Sequence, residues 1–142
     1  MQADARKSPG REFELARVLL VDDDLTSRLT LKTVLEAGGY FVDAAASAAE
    51  AVGKLDRQQY ELVLSDLQME SPRAGLKVLA HARLMDYKPA TAILTTYQNK
   101  RPKARRPILI EPEDLPGLLS KVADLISQRA ARIVEKQMRQ TV

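Results

Sequence analysis

Acidic and hydroxyl side chains end a series of short apolar runs in this chain. Val18-Leu19-Leu20-Val21 ends at Asp22-Asp23-Asp24, and Leu62-Val63-Leu64-Ser65 ends at Asp66. Ala92-Ile93-Leu94 ends at Thr95-Thr96, and Ile108-Leu109-Ile110 ends at Glu111-Pro112. Carboxylates brought together repel one another unless a cation joins them. Oxygen-only ligands suit Mg²⁺, which takes one or two carboxylates and keeps several waters. A carboxylate can also act as the nucleophile in phosphoryl transfer, giving an aspartyl phosphate. The plainer use of a strand-end aspartate is to cap the helix that follows. Capping suffices for Asp24. Asp22, Asp23 and Asp66 come from separate segments, and a shared site is the better reading for them.

Such a site needs elements that deliver these ends to one edge. Short apolar runs bounded by polar residues suit strands buried on both faces. Arg17–Val21 and Leu62–Asp66 read as two of them, with Tyr40–Val42, Ala92–Thr95 and Pro107–Ile110 as three more. Between them, Leu29, Leu31, Val34 and Leu35 recur at helical spacing from Thr26 to Ala37, and Gly38-Gly39 supplies a stop. Ser47-Ala48-Ala49-Glu50 is a capping box for a helix over Ala48 to Arg57. Gly75 to Met85 reads as a third helix through Leu76, Val78, Leu79 and Leu84, and the chain reads as helical from Glu113 to near its end. Strands alternating with helices imply a parallel sheet covered on both faces, with functional groups at the strands' carboxyl ends. The segment between Thr95 and Ile108 is twelve residues long and strongly basic. An average helix alone takes about 11 residues, so a regular crossover helix is not expected there.

In this order the motifs resemble those of response-regulator receiver domains. Val18 to Asp24 is similar to their first strand and acidic pair. Leu62 to Met69 is similar to their phosphoacceptor strand, and Ala92 to Thr96 to their switch strand. The resemblance implies a flavodoxin-like, doubly wound α/β fold. Its parallel sheet would have five strands in the order 2-1-3-4-5, here with a shortened or missing fourth helix and a long C-terminal helix. It implies Asp66 as phosphoacceptor and Mg²⁺ held by Asp22, Asp23, Asp66 and the backbone carbonyl of Gln68. Thr95 would be the switch hydroxyl. The implied function is a stand-alone receiver, not an enzyme, that takes a phosphoryl group from a histidine kinase or phosphotransfer protein and signals through protein contacts.

The departures from the pattern carry equal weight. Receivers end strand five with Lys-Pro, and this chain has Glu111-Pro112. The lysine supplies positive charge to the phosphoryl oxygens; Glu111 has the wrong sign. Lys100, Lys103, Arg105 or Arg106 would have to replace it. Ile108 stands where the aromatic switch belongs, and Glu70 replaces a proline. The loop to Gly75, with Pro72 inside it, is one residue longer than usual. A pseudo-receiver, binding partners without phosphorylation, is the alternative reading. An aspartate-based phosphatase would need a second aspartate two residues after Asp66, where Gln68 stands.

Composition narrows the remaining classes. The 142 residues fit one domain. The absence of Cys excludes disulfides and thiolate chemistry, and His81 as the lone histidine excludes sites needing two imidazoles. His81 reads as a surface residue. No run approaches a membrane span or a signal peptide, so a cytoplasmic protein is expected. Residues 1–14 read as a disordered lead-in, 15–128 as the receiver and 129–142 as an extension of the last helix. The net charge of +3 is uneven, with basic clusters at 100–106 and at Arg129, Arg132, Lys136 and Arg139. Solvated surfaces explain both better than nucleic acid, because no recognition motif accompanies them. Ile133, Val134 and Met138 continue the apolar residues of the last helix, which reads either as a docking face for a homodimer or another partner or as a frayed, solvated extension.

Overall fold

The computed structural model describes residues 16–66, 69, 71, 73–94, 108–110 and 114–141, with the backbone alone at 108–110 and 141. The elements run β1 (Arg17–Val21), α1 (Leu25–Ala37), β2 (Phe41–Ala45), α2 (Ala48–Arg57), β3 (Leu62–Asp66), α3 (Ala74–Arg83), β4 (Ala90–Leu94), β5 (Ile108–Ile110) and α4 (Leu115–Thr141). The four longer strands lie in the order β2-β1-β3-β4, all parallel, and the short β5 pairs with β4 at the edge.

Successive strand residues point to opposite faces, and this parity divides the core in two. Val18, Leu20, Leu62, Leu64, Ala92 and Leu94 pack with Leu31 and Leu35 of α1 and with Leu118, Val122 and Leu125 of α4. Leu19, Val21, Val63 and Ile93 pack with Ala51 and Leu55 of α2 and with Val78, Leu79 and Ala82 of α3. Each fully buried Leu or Val contributes about 1.5–3 kcal/mol relative to exposure. The β1–β3 register, Val18↔Leu62 to Val21↔Ser65, keeps the parity in phase across the sheet.

Several expected boundaries shift. β2 runs on through Asp43, Ala44 and Ala45 rather than ending at Val42. The polar Asp43 is tolerated in this edge strand because its carboxylate accepts the Tyr60 hydroxyl at 2.8 Å. β4 starts at Ala90, next to Pro89, with the Ala90 amide donating to Glu61 O at 2.9 Å. α3 ends at Arg83, which leaves Leu84 outside the core at 73% exposure, and Leu76, within the helix, is exposed rather than part of its buried face. α4 starts at Leu115 instead of Glu113, and the Asp114 carboxylate accepts the Gly117 amide at 3.1 Å. The lead-in at 1–14 and the site of the shortened fourth helix lie outside the described residues.

Tyr60 is 1% exposed. Burial first, then its hydrogen bond to Asp43, pushes its phenol well above the usual value. Burial pushes Tyr87 up to about 12, with Asp56 adding to the rise. A raised folded pKa favours the protonated form in the native state. That stability is complete below about pH 10, the unfolded value, and is lost as pH rises through the folded value. Tyr60→Phe is therefore expected to cost about 1 kcal/mol at neutral pH, from the lost hydrogen bond. Its urea midpoint should also fall less steeply above about pH 10 than the parent's; an unchanged alkaline slope rules the explanation out.

Candidate functional site

β1 and β3 lie side by side, and their register sets Val21 opposite Ser65. One step further along each strand stand Asp22 and Asp66. The Asp22 amide still donates to Ala45 O at 3.0 Å, so the ladder holds this residue in place. Its side chain is 3% exposed, and its Oδ1 accepts the Asp24 amide at 3.0 Å. Asp23 is exposed and Asp66 half-buried. One carboxylate oxygen from each of Asp22, Asp23 and Asp66 lies within 4.8 Å of the others. The sequence-predicted acidic triad is thus brought together.

Asp24 has the separate role expected of it. It is the N-cap of α1, and its Oδ2 accepts the Ser27 amide at 2.8 Å. Gln68, Thr95 and Glu111 lie outside the described residues, as does the basic segment 100–106.

Sequence reasoning missed two neighbours of the triad. Arg28 Nη1 donates to the backbone oxygen of Asp22 at 2.8 Å, which brings a guanidinium to the edge of the acidic cluster. Its position four residues after Asp24, in the first turns of α1, was the available signal. Ser65 is fully buried, and its Oγ donates to Asp66 O at 3.2 Å, holding the end of β3. His81 is partly exposed on α3, as expected of a surface residue, and its Nε2 sits 2.8 Å from Asp56 Oδ1, joining α3 to α2 away from the triad.

Three carboxylates at these separations repel by roughly a few kcal/mol per pair at an effective dielectric of about 20, less for the exposed Asp23. A small divalent cation removes that penalty. The donors are all hard oxygens, one side of the cluster opens to solvent through Asp23, and this set fits Mg²⁺ with part of its water shell retained.

The profile of the response regulator receiver domain matches residues 18–110. The chain belongs to this receiver family. Among its relatives is the alginate biosynthesis transcriptional regulatory protein AlgB of Pseudomonas putida, 43% identical over 68 residues, or 48% of this chain and 15% of that protein. Another is the sensor protein EvgS of Escherichia coli, 39% identical over 56 residues, or 39% of this chain and 5% of that protein. The receiver thus spans only a small part of these relatives' lengths. Among solved structures it resembles the response regulator TrrA of Thermotoga maritima, solved in complex with Mg²⁺-BeF. That likeness has a TM-score of 0.68 and 29% identity, and covers 78% of this chain and 99% of the other. Among the described residues no helix is long and apolar enough to cross a membrane.

Proposed function

We propose that this receiver accepts a phosphoryl group on Asp66, in the cytoplasm, from a histidine kinase or phosphotransfer protein. The observation that carries the reading is the meeting of Asp22, Asp23 and Asp66 oxygens within 4.8 Å at the carboxyl ends of adjacent strands. An Asp66 carboxylate oxygen attacks phosphorus while the bond from phosphorus to the donor nitrogen breaks, leaving an acyl phosphate and a free imidazole. Asp22, Asp23, Asp66 and the Gln68 carbonyl would hold Mg²⁺, which supplies charge neutralisation and orients the phosphoryl oxygens. Arg28 fixes the backbone at Asp22 and so the direction of the acidic pair. Thr95 is assigned the hydroxyl that turns toward the new phosphoryl group. The protein acts as an acceptor that signals through protein contacts and not as a turnover catalyst; DNA binding is not part of the proposal.

The test is a titration with Mg²⁺ and then beryllofluoride, read from amide shifts around Asp22 and Asp66. Saturable shifts at both strand ends are expected, with beryllofluoride binding only when Mg²⁺ is present. Absence of both responses rejects the proposal. A phosphorylation-independent binding module is the second reading, favoured by Glu111 and Ile108. It predicts that Asp66→Asn leaves partner binding intact.

A further inference from the structure

Asp22 and Asp23 are neighbours in the chain, yet they are held very differently. Asp22 is buried and fixed at three points. Its amide donates to Ala45 O at 3.0 Å, its Oδ1 accepts the Asp24 amide at 3.0 Å, and its backbone oxygen accepts Arg28 Nη1 at 2.8 Å. Asp23 is exposed, and among the described residues its carboxylate makes no hydrogen bond. Its direction therefore follows from the peptide that joins it to Asp22. β1 ends at Val21, so this peptide lies past the last strand residue. A planar peptide swings as a unit about the soft dihedrals on either side of it, and the Asp23 side chain swings with it. The oxygen of this peptide is the one that Arg28 holds.

Arg28 is itself set in place. Its amide donates to Asp24 O at 2.9 Å in the first turn of α1, and Asp24 caps that helix through the Ser27 amide at 2.8 Å. Asp22, Asp24 and Arg28 thus close a circuit of hydrogen bonds that begins and ends at Asp22. The partner that the guanidinium takes is informative. Three carboxylates gather at this strand edge, and among the described residues Arg28 forms an ion pair with none of them. A guanidinium placed to neutralise carboxylates grips one of them, commonly through two parallel bonds. Here one donor goes to a neutral carbonyl, which is the arrangement of a clamp on the backbone.

We infer that Arg28 is a positioning residue of the cation site, holding the Asp22–Asp23 peptide so that both carboxylates meet one ion together with Asp66. The inference rests on the reading of the triad as a Mg²⁺ site. Charge and position make opposite predictions for this residue. A positive charge beside a divalent cation repels it, so deleting the charge alone tightens Mg²⁺ binding. Deleting a bond that orients a metal ligand loosens binding, by about 10- to 100-fold for outer contacts of metal sites. The sign of the change in affinity therefore separates the two roles. A lysine keeps the charge and one donor at nearly the same reach. One donor suffices, because Arg28 makes one bond to Asp22.

The test is a Mg²⁺ titration of the parent, Arg28→Met and Arg28→Lys, read from the amide shifts of Asp22 and Asp66. Far-UV circular dichroism and melting in chelator confirm that each variant keeps its fold. Arg28→Met is expected to weaken Mg²⁺ by at least about tenfold, and Arg28→Lys to stay within about threefold of the parent. A second readout needs no metal. In chelator, the Asp23 amide nitrogen belongs to the clamped peptide, and its shift should move in Arg28→Met and return in Arg28→Lys. Mg²⁺ binding that Arg28→Met leaves unchanged or tightens overturns the inference while the cation reading stands. So does a lysine variant that restores the Asp23 shift but not the affinity. A folded parent that binds no Mg²⁺ rejects the cation reading, and this inference with it.

Discussion

Asp66→Asn is expected to abolish phosphoryl uptake from acetyl phosphate, by at least about a hundredfold, measured as the phosphoryl adduct in intact mass spectra. The amide that replaces the carboxylate is not a nucleophile at neutral pH. The same variant separates chemistry from folding. Asp66 shares its cluster with Asp22 and Asp23, whose charges repel it when no cation is present. Removing one charge relieves that repulsion, so the variant should melt no lower than the parent in chelator. Mg²⁺ should raise the parent's melting temperature by several degrees, since a ligand at 100 times its Kd adds about 2.7 kcal/mol. It should raise the variant's far less. A variant that still forms the adduct would remove Asp66 from the proposal. Equal Mg²⁺ stabilisation of both proteins would remove it from the cation site.

Glu111→Lys is expected to increase phosphoryl uptake or beryllofluoride affinity at least about tenfold. Residue 111 follows Ile110 in the chain, Ile110 is paired with Leu94, and the receiver pattern has its phosphoryl-binding lysine at this sequence position. Two like unit charges at 4 Å repel by about 4 kcal/mol at an effective dielectric of 20. A glutamate beside an arriving phosphoryl group therefore opposes it, and a lysine attracts it. Screening shrinks both terms at an exposed edge, which is why the expected gain is smaller than the full Coulomb difference. The gain should also diminish as salt rises. If affinity stays the same, Glu111 does not face the phosphoryl group, and the departure from Lys-Pro has no bearing on uptake. If the gain appears, the natural glutamate makes this a receiver whose phosphorylated form is held short-lived or weakly loaded. That outcome moves the phosphorylation-independent reading closer to the native behaviour.

The largest contrast between sequence and structure lies in what is local and what is not. The sequence by itself determined the strand and helix order of β1 through α4, the capping box at Ser47, and the cap at Asp24. These depend on residues within about four positions of one another, through side-chain period and local hydrogen bonds. It also determined which acids stand at strand ends, because each ends its own apolar run. Tertiary structure alone decided that Asp22 and Asp66, 44 positions apart in the chain, bring their oxygens within 4.8 Å of each other and of Asp23. That distance follows from the register of β1 on β3 and from the buried setting of Asp22. Only the fold decided that Asp43 continues β2, because its partner Tyr60 comes 17 residues later. Only the fold decided that Leu84 faces solvent beside Asp86, although its spacing matches the apolar face of α3. Periodicity reports which residues prefer burial. Whether another element arrives to bury them is decided by packing between segments distant in the chain, and at the triad that packing creates the repulsion that a cation and a phosphoryl group can exploit.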